Sequence, residues 1–594
     1  MNGIKCGFFK ALLFTLLINL LIYSSVLSGG NDISNDELPP DIPFGQEDNN
    51  LLFLPFIKYE ISRDIRVASL EITQGIQTLS NEVPLVEGRQ TAIRVYAESN
   101  EPTAVENVFI SITASRNGDI LPESPLIVGP KTIPTSWSRG DSNSSFNFNI
   151  PESWLSGSID MVIAVDSQNI YREENESNNS VDISRSFTYV APLNVTVVPI
   201  QYTDPNYGYF APPNPDYLAD ELLKIYPVSQ VNLTVHSPIN FNKDLSDTNN
   251  WNILLNQITN LKESEGKPES EVYYGLIPMK NSSGGSWWWG GVVGLGWVGH
   301  RASIGLTSYE PYGINGGDTA NHEIGHNFGR LHSPCGNPGG VDPSYPYGDG
   351  TIGEFGFRVS NFNVIPNSRY DMMSYCDPIW ISDYTYKGLL ANQVSVASSS
   401  VLLAEQAQRE VLYFRADILE DGELEILPVY GFLGRPSIID EGSEYEVEFI
   451  NEKDEIIASH GVKSLWASEA EIEVRSIMGR LPIPEESFSK LRLVKEGRSI
   501  AERSFYQDPI KNESQSVIAS VSKKNILQWG FEKIPALVRY SIDEGQTWIT
   551  IAIDHFGGEF ELDPKIMPIG KLIIQIDLAD QLKTRYRFEW ENKG

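Results

Sequence analysis

His322-Glu323-Ile324-Gly325-His326-Asn327-Phe328-Gly329-Arg330-Leu331-His332 is the stretch around which the rest of the chain is arranged. Read as a helix, it sets His322 and His326 on one face, about 6 Å apart along the axis, so a single ion can take both imidazoles. A helix continued to His332 would carry that side chain about 15 Å beyond His322, out of reach of a metal that holds nitrogen at about 2.0–2.1 Å. The chain must therefore turn back. Gly329 permits this, because glycine enters the left-handed conformation without steric cost and so ends a helix. His332 then arrives as the third ligand. Three imidazoles leave the fourth position of a tetrahedral ion to water, the pattern of catalytic rather than closed structural zinc. Glu323, beside the first ligand, is placed to take a proton from that water and pass it to a leaving group. With only 7 histidines in 594 residues, the pattern has a chance probability on the order of 10⁻⁵.

The string resembles the extended zinc signature of the metzincin clan of metallopeptidases. The resemblance implies an α/β (α+β) catalytic domain, one catalytic Zn2+ held by His322, His326 and His332, and peptide hydrolysis with Glu323 as general base. It also implies a tight methionine-bearing turn beneath the metal, and Asp371-Met372-Met373-Ser374-Tyr375-Cys376 follows at a fitting distance. Met373 is the better candidate for that methionine. Two residues on, Tyr375 resembles the tyrosine that in astacin-like and serralysin-like members binds zinc or hydrogen-bonds the developing oxyanion. Met373 itself supplies an apolar floor.

The chain opens with two lysines, Lys5 and Lys10, before an uncharged run over residues 11–30, with small residues ahead of a cut near Gly29. This is the form of a signal peptide over residues 1–28, with an uncleaved membrane anchor as the alternative. A secreted or surface-attached protein is expected, with the membrane reached only through that segment if it is retained. A formal net charge of -33 and a pI near 4.6 exclude a nucleic-acid partner and an anionic membrane surface. Removing the signal segment would leave two cysteines, Cys335 and Cys376. In an exported chain such a pair suggests one disulfide, joining the segment after His332 to the segment after Met373. No cysteine lies between Cys6 and Cys335, so a cysteine-switch propeptide is not encoded there.

Outward from the metal string, the expected organisation is multidomain: a linker over 29–63, an Ig-like β-sandwich over 64–190, the metzincin-like domain over 191–400, and Ig-like β domains over 405–507 and 516–594. Short alternating stretches such as Thr91–Ala97 and Met161–Val165 carry the β reading. Within 64–190, Pro84–Arg89 and Glu173–Asn179 resemble the Ig-like domains linked to adhesion in bacterial surface proteins. The central segment alternates strands with helices, Asp216–Tyr226 and Trp251–Leu261 among the latter, as an α/β sheet requires. Asp318 is the expected N-cap of the metal helix, and Ser382-Asp383 caps a further helix through Leu390.

The strand before the zinc helix is, by the same resemblance, an edge strand that pairs with extended substrate, with Ile304 and its neighbours as candidates. The Trp287-Trp288-Trp289 run and Trp297 are read as core, subsite wall or sugar-stacking surface. His300, His460 and His555 lack ligand spacing. Asp342 and Asp349 carry oxygens of the kind calcium takes but show no EF-hand spacing, so turn formation is expected. The functional expectation is a zinc endopeptidase acting on extracellular proteins or glycoproteins. A non-enzymatic adhesin or glycan-binding protein with a scaffolding metal domain is the alternative, and hydrolysis of a non-peptide amide fits the same centre. Nothing in the sequence sets an oligomeric state.

Overall fold

The computed structural model describes residues 63–404, 408–418, 423–437, 443–467, 475–505, 520–521, 525–582 and 585–594. The expected signal peptide, the linker up to residue 62 and the division near 507–516 lie outside them. Strand dominates over helix, 44% against 13%, so the molecule is mostly β and its few helices gather in the central segment.

Residues 65–188 form two facing sheets. Ile65–Thr73, Ala92–Ser99 and Phe146–Asn149 make one; Val105–Arg116, Ser158–Val165 and Ser180–Thr188 form the body of the other. Alternation accounts for the layering. Along Ser158–Val165, Ile159, Met161, Ile163 and Val165 face inward onto Ile93, Val95 and Phe148, while the residues between them are more exposed.

The central segment is built on Leu193–Asp204, a long strand that pairs in parallel with Val231–Val235, Ile239–Phe241 and Val272–Ile277. Val272–Ile277 pairs in parallel with Ala302–Leu306, and Gly294–Gly296 closes the sheet antiparallel to it. Val272–Ile277 is buried throughout, as an interior parallel strand with both faces covered must be. Helix α1 (Leu218–Ile225) buries Leu218, Leu222 and Ile225 at helical spacing. Helix α2 (Thr248–Ser264) begins earlier than the apolar periodicity indicated, because the Asp247 carboxylate accepts from Asn249 N at 3.0 Å and caps it. Helix α3 (Gly316–Asn327) carries the metal string, and α4 (Asp383–Ala404) follows the methionine turn and runs well past Leu390. Ser382 Oγ accepts from Thr385 N at 3.1 Å at its start.

Two expectations require correction. The strand containing Ile304 is not the edge: Ile304 is fully buried and pairs with both Gly275 and Leu295, and the edge falls to Gly294–Gly296. The 405–507 segment is not a two-sheet sandwich. Its strands make one eight-stranded antiparallel sheet in which Leu424–Ile426, at one end, lies against Arg498–Ser504, at the other, so the sheet curls into a nearly closed barrel around Phe414, Val447 and Leu491. Residues 526–592 do form two facing sheets over Trp529, Val538 and Ile574. Among the described residues no helix is long and apolar enough to cross a membrane.

Candidate metal centre

Asn315, not Asp318, caps α3: its side chain accepts from Gly317 N at 3.0 Å and donates to Asp318 Oδ2 at 2.8 Å. Asp318 falls in the first turn, where its charge favours the helix N-terminus. From this cap the helix runs to Asn327 and stops. Gly329 takes φ +75°, and Arg330 N returns to Gly325 O at 3.0 Å, the left-handed termination that reverses the chain. His332 is thereby brought back against the helix, its ring centroid 5.2 Å from that of His322 and 4.7 Å from that of His326.

The three side chains are buried and their ligand atoms lie within 4.8 Å of one another. A backbone carbonyl engages each Nδ1: Met372 O at 2.9 Å for His322, Arg330 O at 2.7 Å for His326 and Gly339 O at 2.5 Å for His332. These contacts put the proton on Nδ1 and turn the Nε2 lone pairs inward. His322 Nε2 and His326 Nε2 are 3.1 Å apart, close to the edge of about 3.3 Å that two ligands at about 2.0–2.1 Å span on a tetrahedral ion. The donor set therefore fits a metal ion, and among the described residues it is the one cluster of three or more histidine, cysteine or acidic ligands within reach of a common ion.

Glu323 is buried beneath the edge strand. A Cβ added at Gly294 would stand 2.3 Å from Glu323 Oε1, and one at Gly296 would stand 2.7 Å from Glu323 O, so this strand lies flat on the carboxylate only because both residues are glycine. The alternating Gly-Leu-Gly was visible in the sequence, but nothing there placed it over Glu323. One residue further on, Trp297 bridges to Ala467 of the barrel, which ends the open edge at Gly296.

Below α3, Met373 is buried, and its Sδ would lie 2.5 Å from a Cβ at Gly325. Its neighbour Met372 supplies the carbonyl for His322 and lines the cleft. The turn is held by Asp371, whose carboxylate accepts from Met373 N and Ser382 N, both at 2.9 Å, and whose carboxyl burial pushes to a raised pKa. Sequence analysis assigned Asp371 no role. Tyr375 stands partly exposed beside the triad, its ring centroid 5.0 Å from that of His332. Cys335 and Cys376 form a disulfide with Cα atoms 5.8 Å apart, tying the loop after His332 to the residue after Tyr375. Such a bond belongs to an oxidising compartment and is compatible with export.

The remaining candidates separate. Asp342 accepts from Ser344 N and Tyr384 OH, each at 2.9 Å, and Asp349 from Thr351 N at 3.1 Å, so both carboxylates are spent on turns. His300 is buried against Glu263 at 3.2 Å, away from the centre. Trp287 and Trp297 are core residues whose indole nitrogens donate to Pro278 O and Thr259 Oγ1, whereas Trp289 is 70% exposed and stands apart from the core reading. Beside the triad lies a cavity of ≈ 700 Å³ lined by residues of α2, α3, the edge strand and the methionine turn, His322, Glu323 and Tyr375 among them.

No family model and no curated protein matches the chain. Among solved structures it is similar to the CARDB domain of the PF1109 protein from Pyrococcus furiosus, in a crystal structure in complex with di-metal ions (18% identity over 22% of this chain and 90% of that one, TM-score 0.15). The solution NMR structure of the same domain gives 17% identity over 22% and 97%, also with a TM-score of 0.15. At that similarity neither bears on the chemistry of the site.

Proposed function

We propose that the chain is an exported, metzincin-type zinc endopeptidase that cleaves extracellular proteins or glycoproteins. The observation that carries this reading is the convergence of three inward-facing Nε2 atoms beside a buried glutamate, at the mouth of a cavity large enough for a peptide side chain. A scaffolding metal site has no use for either the carboxylate or the open side. Bound on His322, His326 and His332, Zn2+ would supply Lewis acidity toward the scissile carbonyl and bring a water pKa down to about 7. The chain's own groups do the rest. Glu323 takes the proton of the attacking water and delivers it to the departing amine. Tyr375, beside His332, donates its phenol hydrogen to the carbonyl oxygen as negative charge gathers there. The side of Gly294–Gly296 that has no strand partner pairs with the backbone of an extended substrate as an added strand.

The test is hydrolysis of a panel of extracellular proteins and glycoproteins by the purified chain beside Glu323→Ala and His326→Ala, with metal content measured on all three. Glu323→Ala is expected to keep one zinc and lose turnover, and His326→Ala to lose both. Undiminished cleavage by zinc-loaded Glu323→Ala would sink the mechanism. Zinc in the native chain without any cleavage would favour the adhesin alternative. Tyr375→Phe separates a smaller question: a fall in kcat with little change in KM marks the oxyanion donor, and unchanged turnover withdraws that role alone.

A further inference from the structure

The cavity lined by His322 and Glu323 has an uneven chemistry. Trp251, Val292, Ile314 and Ile379 give it apolar walls, while its charged lining outside the His322–Glu323 pair consists of Asp318 and Asp377. Among the described residues that line it there is no lysine or arginine. Asp318 lies one helical turn before His322 on the same face, about 6 Å along the axis. Its carboxyl is pushed up to about 6, by burial first and then by the charges of Asp377 and of Glu221 on α1. The cation that relieves it, Lys224, is held by Glu221 at 2.7 Å. An acidic substrate side chain would add a third negative charge here. An aliphatic one would cover the carboxylates and leave Asp318 with only the Asn315 amide as a partner. A long side chain with methylenes for the walls and a cationic head for the two acids satisfies both parts of the lining.

We propose that this cavity selects a lysine or arginine side chain close to the bond held over His322, His326 and His332, with Asp318 and Asp377 as the specificity-determining residues. The bond cleavage rests on the peptidase reading; the selection of the side chain does not.

The experiment uses the full chain carrying Glu323→Ala, so that binding is read without turnover. Its probes are fluorescent hexapeptides in which one arginine, or citrulline as its neutral isostere, is walked through the sequence. At one position the arginine peptide is expected to bind roughly tenfold tighter or more, the order set by pairing a cation with carboxylates in a partly desolvated site. Asp318→Asn and Asp377→Asn should each remove most of that ratio, while Asp119→Asn, in an exposed strand of the N-terminal sandwich, should leave it intact. Equal affinity of the two peptides at every position overturns the proposal. So does a ratio lowered equally by Asp119→Asn, which would reduce the effect to general attraction toward a chain of net charge -33. Arginine preference in binding with no cleavage by the native chain would sink the peptidase reading and keep the pocket. Cleavage with no basic preference in binding does the reverse.

Discussion

Asp318 illustrates how a single side chain can be destabilising where it stands and still serve the site it lines. Its carboxyl is raised from 3.8 to about 6, with burial the largest cause, Asp377 and Glu221 adding to it, and Asn315 and Lys224 opposing. For an acid raised on folding, the native state binds the proton more tightly than the unfolded chain does. The contribution of Asp318 to stability is therefore greatest below about pH 4, declines as the pH climbs toward 6, and stays lower above it. Asp318→Asn removes the charge without changing the shape, so the variant should be more stable than the native chain at pH 7.5, by at most ~3 kcal/mol, and no more stable at pH 3.5. Denaturant midpoints at the two pH values measure this. Equal midpoints at pH 7.5 would mean that the carboxylate is solvated and has no unsatisfied charge for a basic ligand to neutralise.

At the scale of elements, the centre depends on a three-residue strand lying on a helix. Gly294–Gly296 reaches α3 because neither glycine carries a Cβ, and Glu323 fills the space that a side chain there would take. Gly294→Ala must move either the carboxylate or the strand. A displacement of about 1 Å costs on the order of 100-fold in rate when a catalytic group is involved. The expected result is a loss of that size in kcat with zinc content and thermal midpoint close to native. An alanine variant of native activity would show that Glu323 does not work from beneath this strand. Across the cleft, the Cys335–Cys376 bond and the backbone contact of Tyr375 N with Cys335 O hold the turn that carries Tyr375.

For the molecule as a whole, the end of α2 is the point where the domains meet. Asn260 accepts from Tyr413 of the barrel at 2.8 Å, Ser264 Oγ lies 2.7 Å from Thr550 Oγ1 of the last domain, and Ser264 O accepts from Arg539 at 3.1 Å. Between these contacts Glu263 is buried against Lys262, His300 and Arg480, the last contributed by the barrel. Burial opposes its ionisation, yet Arg480 and Lys262 hold its carboxyl well below the usual range. Its contribution is therefore present above the ordinary glutamate value and lost as the pH falls through the lowered one. Glu263→Gln takes the contacting carboxylate from buried Lys262 and leaves Arg480 only the longer pair with Glu269 at 3.8 Å, and should destabilise the native chain by roughly 3–5 kcal/mol at pH 7, read from denaturant unfolding. A change under about 1 kcal/mol would show that water reaches this junction. The N-terminal sandwich is tied in by other means: Arg89 donates to Leu223 O at 3.0 Å and Val228 O at 2.8 Å around the end of α1, satisfying carbonyls that a helix terminus leaves open.

The sequence by itself determined what depends on local spacing. The i, i+4 histidines, the glycine that reverses the helix, the short alternating strands and the cysteine pair each follow from geometry that a few neighbouring residues dictate. The ends of helices were less legible, because caps such as Asn315 and Asp247 compete with equally suitable neighbours and the choice is made by packing. Only the tertiary structure decided which strand lies at the sheet's edge, that residues 408–505 curl into one sheet instead of two, and that Gly294, Asp371 and the carbonyls of Met372, Arg330 and Gly339 belong to the metal centre. The contacts of Gly294 with Glu323 and of Met372 O with His322 join residues tens of positions apart. Alternation reports which face of a strand is buried but not which strand becomes its neighbour, and a backbone carbonyl has no residue type by which a sequence could announce it.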